Sequence, residues 1–574
     1  MSLSLRWRAL LLSLFLTSGA AFATDPPAQA PHAGPATATA QKPGHGAIAS
    51  ANFLATNAGL EVLAKGGNAF DAAVAVASTL SVVEPESSGL GGGFLAVLRR
   101  ASDGREVFID AREVAPAAVD PKAYLNADGS PNRDAALNGP LSAGIPGEPA
   151  GLAWLAAHYG KLPLSTSLAP AIRTARDGFE PDSRLRDAIA ERADFLKRWP
   201  ASAAKYFVDG KPPVEGRTWR DPDQARTLES LARQGRDGFY KGEVAKKLVA
   251  AVRAAGGNWS EADLAGYQVK ERAPISVDYH GYRIVTAPPP SSGGVAIAEI
   301  LNILRGVDLD RLDRAHRAHY VIEAMRRAFR DHNDYLGDPD FVKMPLDMLL
   351  SPYYADGLRQ SILPDKATPS SMLPSSGAHD PGPHTTHFSI IDKDGNMIAV
   401  TSTVNYTLGS TFVAAGTGVL LNDEMDDFAL VPNKPNVYGL LGSKANAPEG
   451  GKRMLSSMSP SLVIGKDRTA VIGSPGGSTI ITQVLEGILA FIDGKDASAI
   501  VAQKRFHHQF MPDRVDVEAG VFDAATAREL KRMGYTLHPR DPWGFMNVVT
   551  WDHRDNRLDA ASDPRRPSGL GKVQ

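Results

Sequence analysis

Apolar residues recur at helical spacing over 51–65, at Leu54, Ala58 and Val62, and Gly66-Gly67 then stops that helix. Asn68 is placed to cap a second helix, on which Ala72, Ala73, Val76 and Leu80 form a narrow apolar stripe suited to close packing on a sheet. The run Ser87–Gly93 predicts a glycine-rich turn before a strand at Phe94–Leu98, and residues 150–260 and 300–360 read mostly as amphipathic helices. Ala367–Pro383 is rich in Pro, Ser and Gly, has weak periodicity, and reads as a mobile or exposed segment. From Thr385 the period changes. Phe388, Ile390 and Met397–Val404 are β-branched or apolar, and Asp392–Asn396 between them carries the Asp-Gly pair of a tight hairpin. A second strand pair, Ser461–Ile464 and Thr469–Ile472, leads through Gly473–Ser478 into a helix with Ile481, Val484, Leu485, Ile488, Leu489 and Ile492 on one face. Strands and helices in both halves, without a strict βαβ rhythm, predict sheets covered by helices, an α+β chain.

The N-terminus changes the picture of where the chain works. Arg6 and Arg8 precede the apolar run Ala9–Leu16, and small residues follow to Ala21-Phe22-Ala23. This is the pattern of a secretory signal peptide over 1–23, with an apolar run too short to span a bilayer. Residues 24–42, rich in Pro, Ala and Thr, read as a flexible linker. The expected location is periplasmic or secreted. Lys+Arg 62 against Asp+Glu 64 argues against a nucleic acid or an anionic membrane held by bulk charge. With no cysteine, a Cys nucleophile, a disulfide framework and an iron–sulfur cluster are excluded together.

Several chemical motifs are weak here. His384 and His387 are three apart at a strand entry, where they face opposite ways, and His507-His508 is remote in sequence, so no metal is expected. Gly44-His45-Gly46 follows no strand, and neither a phosphate loop nor a G-x-S-x-G elbow occurs.

A set of motifs in order is more specific. Gly66–Ala73, Asp110–Glu113, Thr385–Ser389, Asp392–Asn396, Leu421–Phe428, Pro435–Gly439, Leu455–Pro460 and Gly473–Ser478 together resemble the γ-glutamyltranspeptidases, in matching order from about His45 to Pro564. The resemblance implies the αββα four-layer sandwich of N-terminal-nucleophile hydrolases. It also implies self-cleavage between His384 and Thr385, giving a large subunit (43–384 after the linker) and a small subunit (385–574) that act as one intertwined unit. Thr385 would be the nucleophile, with its freed α-amine as base. That pairing is chemically sensible, because an α-amine titrates at roughly 7.7–8.0 and a threonine hydroxyl needs a base beside it. Thr403 would hydrogen-bond the nucleophile, and Gly476 and Gly477 would form the oxyanion hole. Arg112, Ser456 and Ser457 would take the substrate α-carboxylate, and Asn405, Glu424 and Asp427 its ammonium. Pro432–Ser443, with Tyr438, would form a lid. The implied reaction is transfer of a γ-glutamyl group from glutathione or a similar donor to water, an amino acid or a peptide, with no cofactor. Phe388, Ser402 and Tyr406 depart from the family pattern beside these motifs. The alternatives are a cephalosporin (glutaryl) acylase or poly-γ-glutamate hydrolase on the same scaffold, and a processed but non-catalytic binding protein. The amino-acid-binding set argues against the first pair, and Thr385, Thr403 and the two glycines against the last.

Overall fold

Along Gly93–Arg99 the side chains of Phe94, Ala96 and Leu98 enter one apolar core, while Leu95 and Val97 enter another. A strand buried on both faces belongs to an interior sheet. The structure, a computed structural model, describes residues 41–373, 385–432 and 434–574. Its first sheet has seven antiparallel strands, in the spatial order Leu570–Val573, Ala47–Ser50, Thr386–Ile391, Met397–Thr403, Gly93–Arg99, Glu106–Ala111 and Lys270–Arg272. A second sheet has six, in the order Arg557–Ser562, Asn547–Asp552, Arg468–Gly473, Ser461–Ile464, Tyr282–Thr286 and Ile275–Tyr279. The two sheets pack face to face, and helices cover both outer faces, giving the expected αββα order. Helices Phe53–Ala64 and Ala69–Val83 lie in the layer over the first sheet, and Gly293–Leu304 and Ile480–Ile492 in the layer over the second. Both hairpins occur where the sequence predicts them. No helix among the described residues is long and apolar enough to cross a membrane.

Two expectations are corrected. Ala69–Val83 shows more than a stripe, for all fifteen of its residues are buried, between the first sheet and neighbouring helices. Its start is fixed by a capping box, in which Asn68 accepts from Phe70 and Asp71 N–H while Asp71 accepts from Asn68 N–H. Such a cap contributes about 1 kcal/mol. The segment after Ala367 is partly anchored. Ala367 N–H donates to Met533 O at 2.8 Å and Ser370 N–H to Asp513 at 2.7 Å, and both residues are buried. The signal peptide, residues 24–40 of the linker, and 374–384 with His384 lie outside the described residues.

The glycine-rich turn is required by close approach. A Cβ on Gly92 would sit 2.0 Å from Thr403 O, and one on Gly91 1.9 Å from Leu420 O. The bare backbone therefore lets the end of Met397–Thr403 lie directly on this turn.

Candidate active site

Thr385 stands one residue before its strand, and the hairpin register places it beside the end of the neighbouring strand: Thr386 pairs with Ser402, so Thr385 meets Thr403. Their hydroxyl oxygens are 3.4 Å apart, a loose contact for two hydroxyls. Thr403 Oγ1 also accepts from Asn405 N–H at 2.8 Å, and either hydroxyl of the pair can be the donor to the other. Thr386 donates to Glu84 at 2.7 Å, and Glu84 pairs with Arg566, so the residue next to the candidate nucleophile is tied to the last part of the chain.

One cavity of about 30 Å³ is lined by Thr385, Thr403, Arg112, Asn405, Glu424, Asp427, Tyr438, Ser456, Ser457 and Gly477. Of the site residues read from the sequence, Gly476 alone among those described does not line it. Gly476 (φ +143°) and Gly477 (φ +57°) lead directly into helix Ile480–Ile492, in backbone conformations that favour glycine.

Arg112 follows strand Glu106–Ala111 and is 1% exposed. Its guanidinium lies 2.6 Å from Asp427 and 2.7 Å from Glu424, with Glu113 at 3.4 Å, and its Nε–H donates to Met454 O. Taken singly, such an arginine reads as a solvated surface charge; here it is the hub of a buried ion cluster. Burial works against its charge, but Glu424, Glu113 and Asp427 outweigh that and hold its pKa above the usual guanidinium range. One cation cannot satisfy three buried carboxylates. Burial pushes Glu424 well above the carboxylate range, against the opposing pull of Arg112, and raises Asp427 in the same way. Burial likewise lifts Glu113 to about 7.

That shift has a testable sign. The folded protein keeps a proton on Glu113 that the unfolded chain releases near 4.5, so this group's contribution is full below 4.5 and is lost as pH rises to about 7. Melting temperature should therefore fall more steeply between pH 5 and 7.5 in the wild type than in Glu113→Gln. Equal slopes by calorimetry would remove Glu113 from this account.

The lid candidate is clasped over these groups. Tyr438 Oη donates to Asn405 O at 2.6 Å, Val437 N–H to Asp426 at 2.7 Å, and Asn436 Nδ2 to Asp427 at 3.1 Å. Asn405 supplies that carbonyl from a left-handed conformation, φ +74°. Ser456, which lines the same cavity, is pinned through its backbone. Its N–H donates to Pro290 O at 2.8 Å, and its carbonyl accepts from Ser292 N–H and Oγ. Its Oγ accepts from Met458 N–H, leaving one proton to donate.

Several supports escaped the sequence reading. Asn422 donates to Gly91 O and Gly144 O and accepts from Gly144 and Glu424 N–H, joining the glycine turn to the acidic cluster. Asn436 and Asn422 lie inside motifs that were noted; Ser292 carried no local signal. Among the departures, Ser402 donates to buried Glu148 at 2.5 Å, Phe388 fills the core, and the Tyr406 ring faces Arg192. His387 is buried against the hydroxyls of Thr401 and Ser389, and burial drives its pKa to about 3. His507 is similarly held by Thr482 and Gln509.

The family described as Gamma-glutamyltranspeptidase matches residues 55–573. The chain is 43% identical over 539 residues to a glutathione hydrolase proenzyme of Pseudomonas sp. (strain A14), covering 92% of this chain and 94% of that protein. It is 40% identical over 531 residues to the Escherichia coli (strain K12) glutathione hydrolase proenzyme, covering 92% and 91%. Among solved structures, the cephalosporin acylase from Bacillus halodurans superposes with a TM-score of 0.80 at 29% identity, covering 95% of this chain and 98% of that one.

Proposed function

The chain belongs to the γ-glutamyltranspeptidase family, and from that premise we propose that Thr385 carries the γ-glutamyl group through the reaction as an ester. The protein is a γ-glutamyltransferase with glutathione hydrolase activity, an N-terminal-nucleophile hydrolase made as a proenzyme. The observation that carries the residue assignment is the single cavity that brings the Thr385–Thr403 pair together with Arg112, Asp427, Glu424, Ser456 and Ser457.

In this reading the Thr385 hydroxyl first attacks the carbonyl of residue 384. The 384–385 C–N bond breaks as the acyl group moves onto Oγ1, which frees the Thr385 amine; hydrolysis of the resulting ester then frees the hydroxyl and separates 43–384 from 385–574, with 1–23 removed as a signal peptide and 24–42 left as a linker. The amine then takes the hydroxyl proton directly or through water, and Oγ1 attacks the donor γ-carbonyl. N–H groups of Gly476 and Gly477 hold the oxyanion at the helix start. The leaving amine takes the proton back as the C–N bond breaks. Water or an amino acid or peptide amine attacks the ester and restores Thr385.

The buried ion cluster accounts for the choice of an α-amino acid. A donor brings a carboxylate and an ammonium together. Its carboxylate takes Arg112, helped by Ser456 and Ser457, while its ammonium takes the places Arg112 gives up at Asp427 and Glu424, with Asn405 accepting as well. The exchange gives each charge of the donor a partner of opposite sign. A cavity of about 30 Å³ holds little more than water, so the donor enters when the Tyr438–Asn405 clasp opens. Reclosure would limit water and favour amine acceptors.

The test is amino-terminal sequencing of the purified protein after incubation at neutral pH, followed by assays on γ-glutamyl and glutaryl anilides. Two chains, one starting at Thr385, with γ-glutamyl cleavage dominant, are expected. Equal or faster glutaryl cleavage would favour the acylase reading instead, because a glutaryl group has no ammonium for Asp427 and Glu424.

A further inference from the structure

We infer that Gln483, with Thr479, is a positioning residue that aims the two oxyanion N–H groups; this rests on the reading above that Gly476 and Gly477 supply them. In a planar trans peptide the C=O and N–H point in opposite directions. The N–H of Gly476 belongs to the same peptide unit as Pro475 O, and that of Gly477 to the same unit as Gly476 O. Whatever holds those two carbonyls therefore sets both N–H directions.

One amide reaches both, Pro475 O directly and Gly476 O through Thr479. Gln483 Nε2 lies 3.1 Å from Pro475 O and 2.8 Å from Thr479 Oγ1, so its two hydrogens serve one acceptor each. Thr479 Oγ1 then donates to Gly476 O at 2.7 Å, and Thr479 N–H reaches the same carbonyl at 3.1 Å. Gln483 Oε1 accepts from Ser474 Oγ at 2.6 Å, which fixes which way the amide faces. Ser474, Thr479 and Gln483 are all buried, so water does not compete for these bonds. Two glycines make room for the clip. A Cβ on Gly476 would lie 2.4 Å from Gln483 Nε2 and 2.6 Å from Thr479 Oγ1, and one on Gly544 would lie 1.7 Å from Gln483 Oε1. Thus Gly476 is glycine both for its backbone conformation and because the clip occupies the space of a side chain.

The consequence is kinetic. Without the clip the turn can rotate, and its N–H groups lose their aim at the developing oxyanion, while the α-amino-acid contacts at Arg112, Ser456 and Asp427 are untouched. The experiment compares steady-state turnover of γ-glutamyl-p-nitroanilide by wild type, Gln483→Met, Thr479→Val and Thr479→Ser, with rates expressed per Thr385 amino terminus so that maturation yield drops out. In Gln483→Met and Thr479→Val, kcat should fall about 10- to 100-fold, somewhat less than loss of a whole oxyanion donor, with KM changed less than about twofold. Thr479→Ser keeps the hydroxyl and should recover most of kcat. Unchanged kcat and KM in the first two variants would overturn the clip. Raised KM with unchanged kcat would show that the clip steadies a substrate-binding turn, and would overturn the oxyanion reading on which it rests.

Discussion

Thr385→Ala leaves one intact chain after incubation at neutral pH and no measurable γ-glutamyl transfer. Both losses have one cause. The hydroxyl that would attack the carbonyl of residue 384 during maturation is the one that would later attack the donor, and no other hydroxyl lies in its place. Thr403 is 3.4 Å away, but its Oγ1 is committed to Asn405 N–H and it has no amine of its own. Losses of about 10⁴- to 10⁶-fold are usual when a nucleophile is removed from an intact site. Thr385→Ser should mature and turn over, because it keeps the hydroxyl and loses only a methyl group. Gel electrophoresis for chain number and release of p-nitroaniline for turnover are sufficient measurements. A two-chain product from Thr385→Ala would end the assignment.

Arg112→Ala has the second largest expected effect, and it extends beyond binding. Removing the guanidinium deprives the donor carboxylate of its partner, which raises KM. It also leaves Glu424, Asp427 and Glu113 buried with no cation among them. Breaking a buried pair by deleting one side costs about 3–5 kcal/mol, so melting should move to clearly lower temperature. Some of that cost is escaped by protonation, which Glu424 and Glu113 already favour, so the variant should be least destabilised at acid pH. A variant with weak binding but wild-type melting at every pH would show that Arg112 recognises substrate without holding the cluster together.

Much of the fold is local and could be read from the sequence. The Asp392–Asn396 turn and its alternating flanks define a hairpin, and the spacing Ile481, Val484, Leu485, Ile488 defines a helix with one buried face. What escaped is what period analysis cannot carry. The all-round burial of Ala69–Val83 depends on neighbours distant in sequence, because alanine- and valine-rich helices look alike whether half or wholly covered. The residues of the cavity were found through family motifs, since Thr385 by itself is an ordinary strand-entry threonine. The burial of Arg112 is not legible in spacing, because two of its three carboxylate partners, Glu424 and Asp427, come from one distant segment and only Glu113 is its neighbour. Asn422, Ser292 and Gln483 act through bonds to backbone carbonyls, which leave no mark in composition or spacing.

Both sheets contain strands from either side of Thr385: Ala47–Ser50 lies between Leu570–Val573 and Thr386–Ile391, and Ser461–Ile464 pairs with Tyr282–Thr286. The proposed cut before Thr385 would therefore change the order of the refolding reaction. The precursor should refold at a rate independent of its concentration, with the later strands held near the earlier ones by the chain. Once cut, the same ladders must form between two molecules, and the effective concentration supplied by the tether is gone. Dilution then slows recovery, and separated chains expose long unpaired edges that favour aggregation. The persistence of the matured enzyme is thus governed by how slowly it opens.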